Sequence, residues 1–154
     1  MNISVFVDAD HAGDRDTHCS FTGILIYVNR APILWFSKKE NTVETSTIGS
    51  EVVAMRIATE IIEGLQYRLH MLGIPIDGSS SVCCDNMSVV MNTTRPESTL
   101  KKKHNAIAYH RVCKAVGTGI ICIIKVLTET NLADMLTQSL PGPRLCDLCQ
   151  IVLY

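Results

Sequence analysis

Four acidic residues, Asp8, Glu51, Asp85 and Asp134, stand where the local residue pattern brings a strand or helix to its end. Asp8 closes an apolar run, and its two-residue period places it on the face of Ser4 and Phe6, opposite Val5 and Val7. Glu51 lies three residues before Ala54, on the sheet-facing stripe of a helix, where a carboxylate is desolvated and wants a cation. Asp85 ends a short strand, and Asp134 falls in the first turns of a short helix, on a polar side with Asn131 and Gln138. Singly, each has an ordinary reading: Asp8 and Asp10 as turn residues, Asp85 as a helix N-cap, Glu51 and Asp134 as partners of helix dipoles. At one rim, four acids would repel unless a divalent cation neutralised them. A donor set of carboxylates without His or Cys selects Mg²⁺ or Mn²⁺. Asp8 and Asp10 have nearly equal claims on these grounds.

The elements that must carry these residues can be read from periodicity. Ile3–Asp8 is a first strand, and Phe21–Val28 and Ala31–Ser37 are two more, joined by Asn29-Arg30. Ala54, Ala58, Ile61, Leu65, Leu69 and Leu72 form one helical stripe, with Thr47 as N-cap and Gly73 as stop. Ser81–Cys84 is a short strand that Asp85-Asn86 hands to a helix from Met87. A helix over Lys101–Val116, a strand over Gly119–Leu127 and a short helix over Asn131–Gln138 follow. The order βββ-α-β-α-α-β-α predicts an α/β fold: a mixed five-stranded sheet, with a three-strand meander and two helix-connected strands, flanked by helices. Residues 1–140 are expected to form one domain, and 141–154, after Pro141-Gly-Pro143, a tail with a short helix.

Composition bounds the partners. With 154 residues, 47% of them hydrophobic and 19% charged, the chain has the makings of a globular core. The net charge of −1 provides no broad basic field, so a nucleic acid would be held by local lysines or by metal. Cys83, Cys84 and Cys122 lie in β-like runs and read as buried apolar residues. Cys146-x-x-Cys149 lacks a second ligand pair for zinc, and seven cysteines do not make a disulfide framework. A reducing, cytoplasmic setting is expected, with the nucleus or a virus-like particle as variants. Ile120–Leu127, the most apolar stretch, is too short to span a bilayer, so no membrane partner is expected. A strand starting almost at Met1 suggests a piece of a longer chain. No Gly-rich phosphate loop is present, which removes flavodoxin-like nucleotide binding.

An ordered series of motifs adds to this reading. Val5-Phe-Val-Asp-Ala-Asp-His-Ala-Gly-Asp14 resembles the S-D-A-D-W-A-G-D opening of ribonuclease H domains from copia-type retrotransposons. Ser20-Phe-Thr-Gly23 and Leu34-Trp-Phe-Ser-Lys-Lys39 resemble the family's S-T-S-G and S-W-S-S-K-K, and Thr45-Ser-Thr-Ile-Gly-Ser-Glu51 stands at its S-S-T-E-A-E. Val82-Cys-Cys-Asp-Asn86 is similar to Y-C-D-N, Lys103-His104 and Tyr109-His110 to K-H and Y-H, and Thr128–Thr137 to T-x-x-N-L-A-D-I-L-T. The series runs from about residue 3 to Pro141. It departs from the pattern at His11, Cys19, Ile48, Ala106 and Ala108, none of which touches the four acids.

The resemblance implies a metal-dependent endonuclease that hydrolyses the RNA strand of RNA–DNA hybrids during retrotransposon reverse transcription. It implies catalytic carboxylates at Asp8, Glu51, Asp85 and Asp134, deciding for Asp8 over Asp10. These would hold two Mg²⁺ (or Mn²⁺) ions about 4 Å apart, with Asp8 bridging, Glu51 and Asp85 on one ion and Asp134 on the other. A reverse transcriptase domain in the parent polyprotein is the implied protein partner. Asn86 and Ser50 are placed to read 2′-hydroxyls, and Lys101, Lys102, Lys103, Lys38 and Lys39 to meet phosphates. His104 and His110 read as structural, and Trp35 as a core residue of the third strand. The rival readings are a catalytically decayed domain with a structural role in a polyprotein, and a nuclease of the same fold acting on DNA duplexes.

Overall fold

The computed structural model describes residues 1–14, 16–41, 43–44, 46–94 and 106–153. Five strands form one sheet in the order β3-β2-β1-β4-β5. β1 (Ile3–Asp10), β2 (Phe21–Val28) and β3 (Ala31–Lys39) make an antiparallel meander. Asn29 makes the β2–β3 hairpin turn at φ 55°, a left-handed conformation that asparagine tolerates. β4 (Ser80–Cys84) and β5 (Ile121–Lys125) add in parallel on the other side of β1. β1 runs two residues beyond the expected end, so Asp8 pairs with Gly23 inside the strand rather than closing it.

Helix α1 (Thr47–Met71) is capped by Ser46, one residue before the expected Thr47, whose side chain accepts from the Gly49 amide at 3.2 Å. Gly73, at φ 71°, ends it as expected. Ala54 and Ala58 of the predicted stripe are fully buried, and Ile61, Leu65 and Leu69 pack at the margin. Leu72 is exposed, because it lies past the last turn. Helices α2 (Met87–Thr94) and α3 (Ala106–Gly117) complete this layer, with an α3–α1 ion pair between Arg111 and Glu63. The main core lies here: Val5, Val7, Ile24, Ile26 and Val82 of the sheet against Val52, Met55, Ile62 and Val112 of the helices.

The opposite face is covered differently. A 3-10 helix (Leu132–Leu136) and helix α4 (Gly142–Leu153) close a small cluster of Leu25, Tyr27, Leu132 and Leu148, with Phe6 at its edge. Residues 141–154, expected as a tail, thus contribute Leu148 to a buried contact. Two sequence expectations fail on this sheet. Trp35 is 60% exposed, because β3 is an edge strand whose residue 35 is only rimmed by α4. Cys122 is exposed for the same reason on the other edge, β5, while Cys83 and Cys84 are buried as expected. All seven cysteines are free thiols. Among the described residues no helix is long and apolar enough to cross a membrane.

Candidate active site

Three of the four acids meet at one end of β1. Carboxylate oxygens of Asp8, Asp85 and Asp134 all lie within 4.8 Å of one another. Glu51 stands behind them, its carboxylate in a second group with Asp85 and Cys84, again within 4.8 Å. Asp85 therefore belongs to both groups. The sheet order explains the convergence: β4 lies beside β1 in parallel, so both strands deliver their C-terminal acids to the same rim.

Each acid is brought there by a specific device. Glu51, in the second turn of α1, is only 3% exposed, since the helix presses that side onto the sheet. Asp85 follows β4 directly, and Asn86 then turns the chain by accepting from the amides of Ser88 (3.0 Å) and Val89 (3.3 Å) to cap α2. Asp134 is 1% exposed and lies on the 3-10 helix rather than on an α-helix. At three residues per turn, Asn131, Asp134 and Thr137 align on one side, and all three are buried. The α-helical grouping of Asp134 with Gln138 is thereby corrected, since Gln138 points to solvent.

That short helix is held by polar clamps and a missing side chain. The Asn131 amide donates to the Val7 carbonyl of β1 at 3.1 Å, while its Oδ1 accepts from the Ala133 amide at 3.2 Å. The Thr137 hydroxyl donates to the Asp8 carboxylate. At Gly23, opposite Asp8, a Cβ would meet Thr137 Cγ2 at 2.7 Å and the Ala133 carbonyl oxygen at 2.9 Å. Only glycine lets the helix approach β2 this closely. Arg144 of α4 reaches back to Asp134, Nη2 to Oδ2 at 2.5 Å, and to the Thr128 carbonyl at 2.8 Å.

The electrostatics follow from crowding without solvent. Burial, then the charges of Asp8 and Asp85, pushes the Glu51 carboxyl up to about 9. Burial and Asp8 push Asp134 up to about 6 despite the opposing effect of Arg144. Asp8 is also raised, by burial above all, with the Thr137 hydrogen bond working against it. Burial, then Glu51, holds the Cys84 thiol well above its usual range, so it adds no charge to the cluster of acids. The remaining donors are hard carboxylate oxygens short of positive charge, and that set fits divalent cations such as Mg²⁺. Asp10 is half-buried and stands in neither group of acids.

The other sequence candidates fall in varied places. Ser50 is buried, hydrogen-bonded to Ser20 Oγ (2.9 Å) and His11 Nδ1 (3.0 Å), and so ties the β1–β2 loop to α1. Lys38 and Lys39 are exposed on β3, two strands from β1, and Lys39 is paired with Asp14. His110 is exposed on α3, its ring edge-on to Tyr109. Lys101, Lys102, Lys103 and His104 lie outside the described residues. Gly23, Asn131, Thr137 and Arg144 were not anticipated as site residues. The first three sit inside quoted motifs and could have been found there, whereas Arg144 lies beyond them and left no signal.

The architecture and the rim of acids define a ribonuclease H fold. The LC11 ribonuclease H1 from compost, solved in complex with RNA/DNA hybrid, superposes with a TM-score of 0.66 at 14% identity, covering 88% of this chain and 94% of that one. A foamy viral protease-reverse transcriptase, also in complex with RNA/DNA hybrid, superposes at TM-score 0.57 and 15% identity, over 88% of this chain and 19% of that one. The chain's homologues are retrovirus-related Pol polyproteins of copia-type transposons. It is 31% identical over 140 residues to the polyprotein from transposon RE1 of Arabidopsis thaliana, and 30% identical over 145 residues to that from transposon TNT 1-94 of Nicotiana tabacum. These matches cover 91% and 94% of this chain but only 10% and 11% of the polyproteins, so the chain spans about a tenth of the relatives it matches. No protein-family model matches it.

Proposed function

We propose that this chain is the ribonuclease H segment of a retrotransposon Pol polyprotein, hydrolysing the RNA strand of RNA–DNA hybrids. The observation that carries this reading is the convergence of Asp8, Asp85 and Asp134 within 4.8 Å, with Glu51 buried behind them, at the strand ends of this fold. Asp8, Asp85, Asp134 and Glu51 would hold the metal ions, Mg²⁺ by preference and two in number. Bound there, the ions supply Lewis-acid activation of a water and charge stabilisation at the leaving oxygen. The chain's own part is positional. Buried carboxylates fixed by Thr137, Asn131 and the α1 packing present a preformed set of oxygens, which need little reorganisation when substrate arrives. No side-chain nucleophile is required.

Substrate grip is proposed to rest on a few cations rather than a general field, in keeping with a net charge of −1. Lys38 and Lys101–Lys103 are the proposed phosphate contacts, with Lys39 joining if it leaves Asp14. Asn86 is the proposed reader of 2′-hydroxyls, because it stands next to Asp85 at the rim. Ser50 is proposed to act through the loop it anchors. The parent protein is proposed to carry a reverse transcriptase segment, as does the foamy viral protein that shares this fold.

The test is cleavage of a labelled RNA–DNA hybrid with Mg²⁺, beside DNA duplex and single-stranded RNA controls. Asp8→Asn or Asp85→Asn should reduce hybrid cleavage by about a thousandfold or more, since each removes a charged ligand oxygen. Asp10→Asn should keep most of it. Cleavage that survives Asp8→Asn and is lost in Asp10→Asn would reverse the assignment. Equal cutting of DNA duplex would overturn the choice of substrate.

A further inference from the structure

Arg144 of α4 reaches the acid cluster through Asp134. Its Nη2 sits 2.5 Å from Asp134 Oδ2 and 2.8 Å from the Thr128 carbonyl, so a single guanidinium nitrogen bridges Asp134 and the backbone leading into its helix. Asp134 is almost fully buried, whereas the arginine is about one-third exposed. Arg144 Nε is buried without a hydrogen-bond partner, so the polar contacts of the guanidinium run through Nη2. The ion pair ties up one oxygen of Asp134. In the cluster with Asp8 and Asp85, one carboxylate oxygen of each acid lies within 4.8 Å of the others. Among the described residues no other ion pair reaches these acids.

We infer that Arg144 is a positioning residue which holds Asp134 in a one-oxygen pose toward Asp8 and Asp85 and competes, as a resident positive charge, with the metal for that carboxylate. This rests on the metal-dependent reading of the site above. Two consequences follow and point in opposite directions. A fixed guanidinium beside the cluster repels a divalent cation, so its removal strengthens metal binding. The same removal frees Asp134 to rotate or to take both oxygens to one ion, so turnover falls. A purely structural arginine, merely fastening α4, would weaken both together.

The experiment compares the chain with Arg144→Ala and Arg144→Lys, reading Mg²⁺ binding by titration calorimetry and by melting temperature against Mg²⁺, and separately the kcat for hybrid cleavage. Arg144→Ala should melt lower in EDTA, show its Mg²⁺ midpoint at several-fold lower concentration, and lose several-fold in kcat. Arg144→Lys should bring the Mg²⁺ midpoint back toward the parent, because the charge remains. Its kcat should stay low, because a flexible ammonium does not reproduce the rigid bridge. Unchanged or weaker Mg²⁺ binding in Arg144→Ala, with the parent binding Mg²⁺ and cutting hybrid, overturns the role of Arg144 alone. If Arg144→Ala does not fold, a Mg²⁺ midpoint in Arg144→Lys far from the parent's overturns it equally. A parent chain that binds no Mg²⁺ overturns the metal reading itself.

Discussion

On one face of the sheet, α1 and α3 seal Val5, Val7, Ile24, Ile26 and Val82 under Val52, Met55, Ile62 and Val112. On the other, the cluster that holds the 3-10 helix and α4 has, among the described residues, four buried members, Leu25, Tyr27, Leu132 and Leu148. The acids divide between these faces. Glu51 rides on the deeply packed helix, and Asp134 on five residues held by Asn131, Thr137, Gly23 and Arg144. Apolar packing is non-directional, so it fixes a helix without fixing one carboxylate oxygen. Hydrogen bonds and a close backbone approach do fix it, at a smaller cost in buried area. The molecule thus keeps its stability mainly on one face and the half of its site that polar contacts hold on the other.

A pair of substitutions can break that division. Ile62→Ala, in the middle of the main core, should cost about 2–5 kcal/mol of stability through transfer and cavity effects. Assayed below its lowered melting temperature, the enzyme should retain most of its cleavage rate. Gly23→Ala should cost less, roughly 1–3 kcal/mol for an overpacked contact, because the added methyl drives the 3-10 helix off β2. Its cleavage should nevertheless fall much further, since Asp134 moves away from Asp8. Denaturant unfolding and initial rates on the same samples decide it. Equal ratios of rate loss to stability loss in the two variants would end the distinction.

The same division governs what was legible in the sequence. The meander and α1 stand out because β1 and β2 are β-rich apolar runs, Asn29-Arg30 separates β2 from β3, and Ala54, Ala58, Ile61, Leu65 and Leu69 recur at spacings of three and four along 25 helical residues. The weaker face was misread. Residues 131–138 carry too few turns for periodicity to separate an α from a 3-10 helix, so Gln138 was grouped with Asp134 where Thr137 belongs. A tryptophan in a strand reads as core, but nothing in a local window says that β3 is an edge, where Trp35 lies exposed. Arg144 was invisible because a contact ten residues away across a proline turn follows no local period.

Thr137 sharpens the comparison at smaller scale. Its hydroxyl donates to Asp8 and also contacts the Asp134 carbonyl at 3.3 Å, so one group couples Asp8 of β1 to the short helix that carries Asp134. Thr137→Val keeps the shape and removes the donor. A loss of about 1–2 kcal/mol in metal-free stability is expected for a hydrogen bond to a charged or partly charged acceptor. A tenfold fall in cleavage, roughly, follows if the lost bond acts in the transition state as well. Thr137→Ser should restore both. A valine variant that cuts hybrid at the parental rate would show that Asp8 is held without the hydroxyl.

The smallest expected effect is also the one that isolates the packed face. Glu51 carries a carboxyl raised from the ordinary 4.5 to about 9, chiefly by burial under α1 and then by its acidic neighbours. A group whose folded value is raised contributes stability fully below its unfolded value and loses it as pH climbs through the folded one. In EDTA, melting should therefore decline between about pH 5 and 9, with Asp134, raised to about 6, adding to the lower part of that window. Glu51→Gln has the same shape and no proton to lose. Its profile should be flatter, and at pH 8 it should melt higher than the parent. Mg²⁺ should reverse the order, because only the parent gains a ligand by ionising. Parallel profiles for parent and variant across pH 6 to 9 would mean that Glu51 is already ionised without metal. The tightly packed face would then tolerate a bare charge, and the contrast between the two halves of the site would lose its electrostatic side.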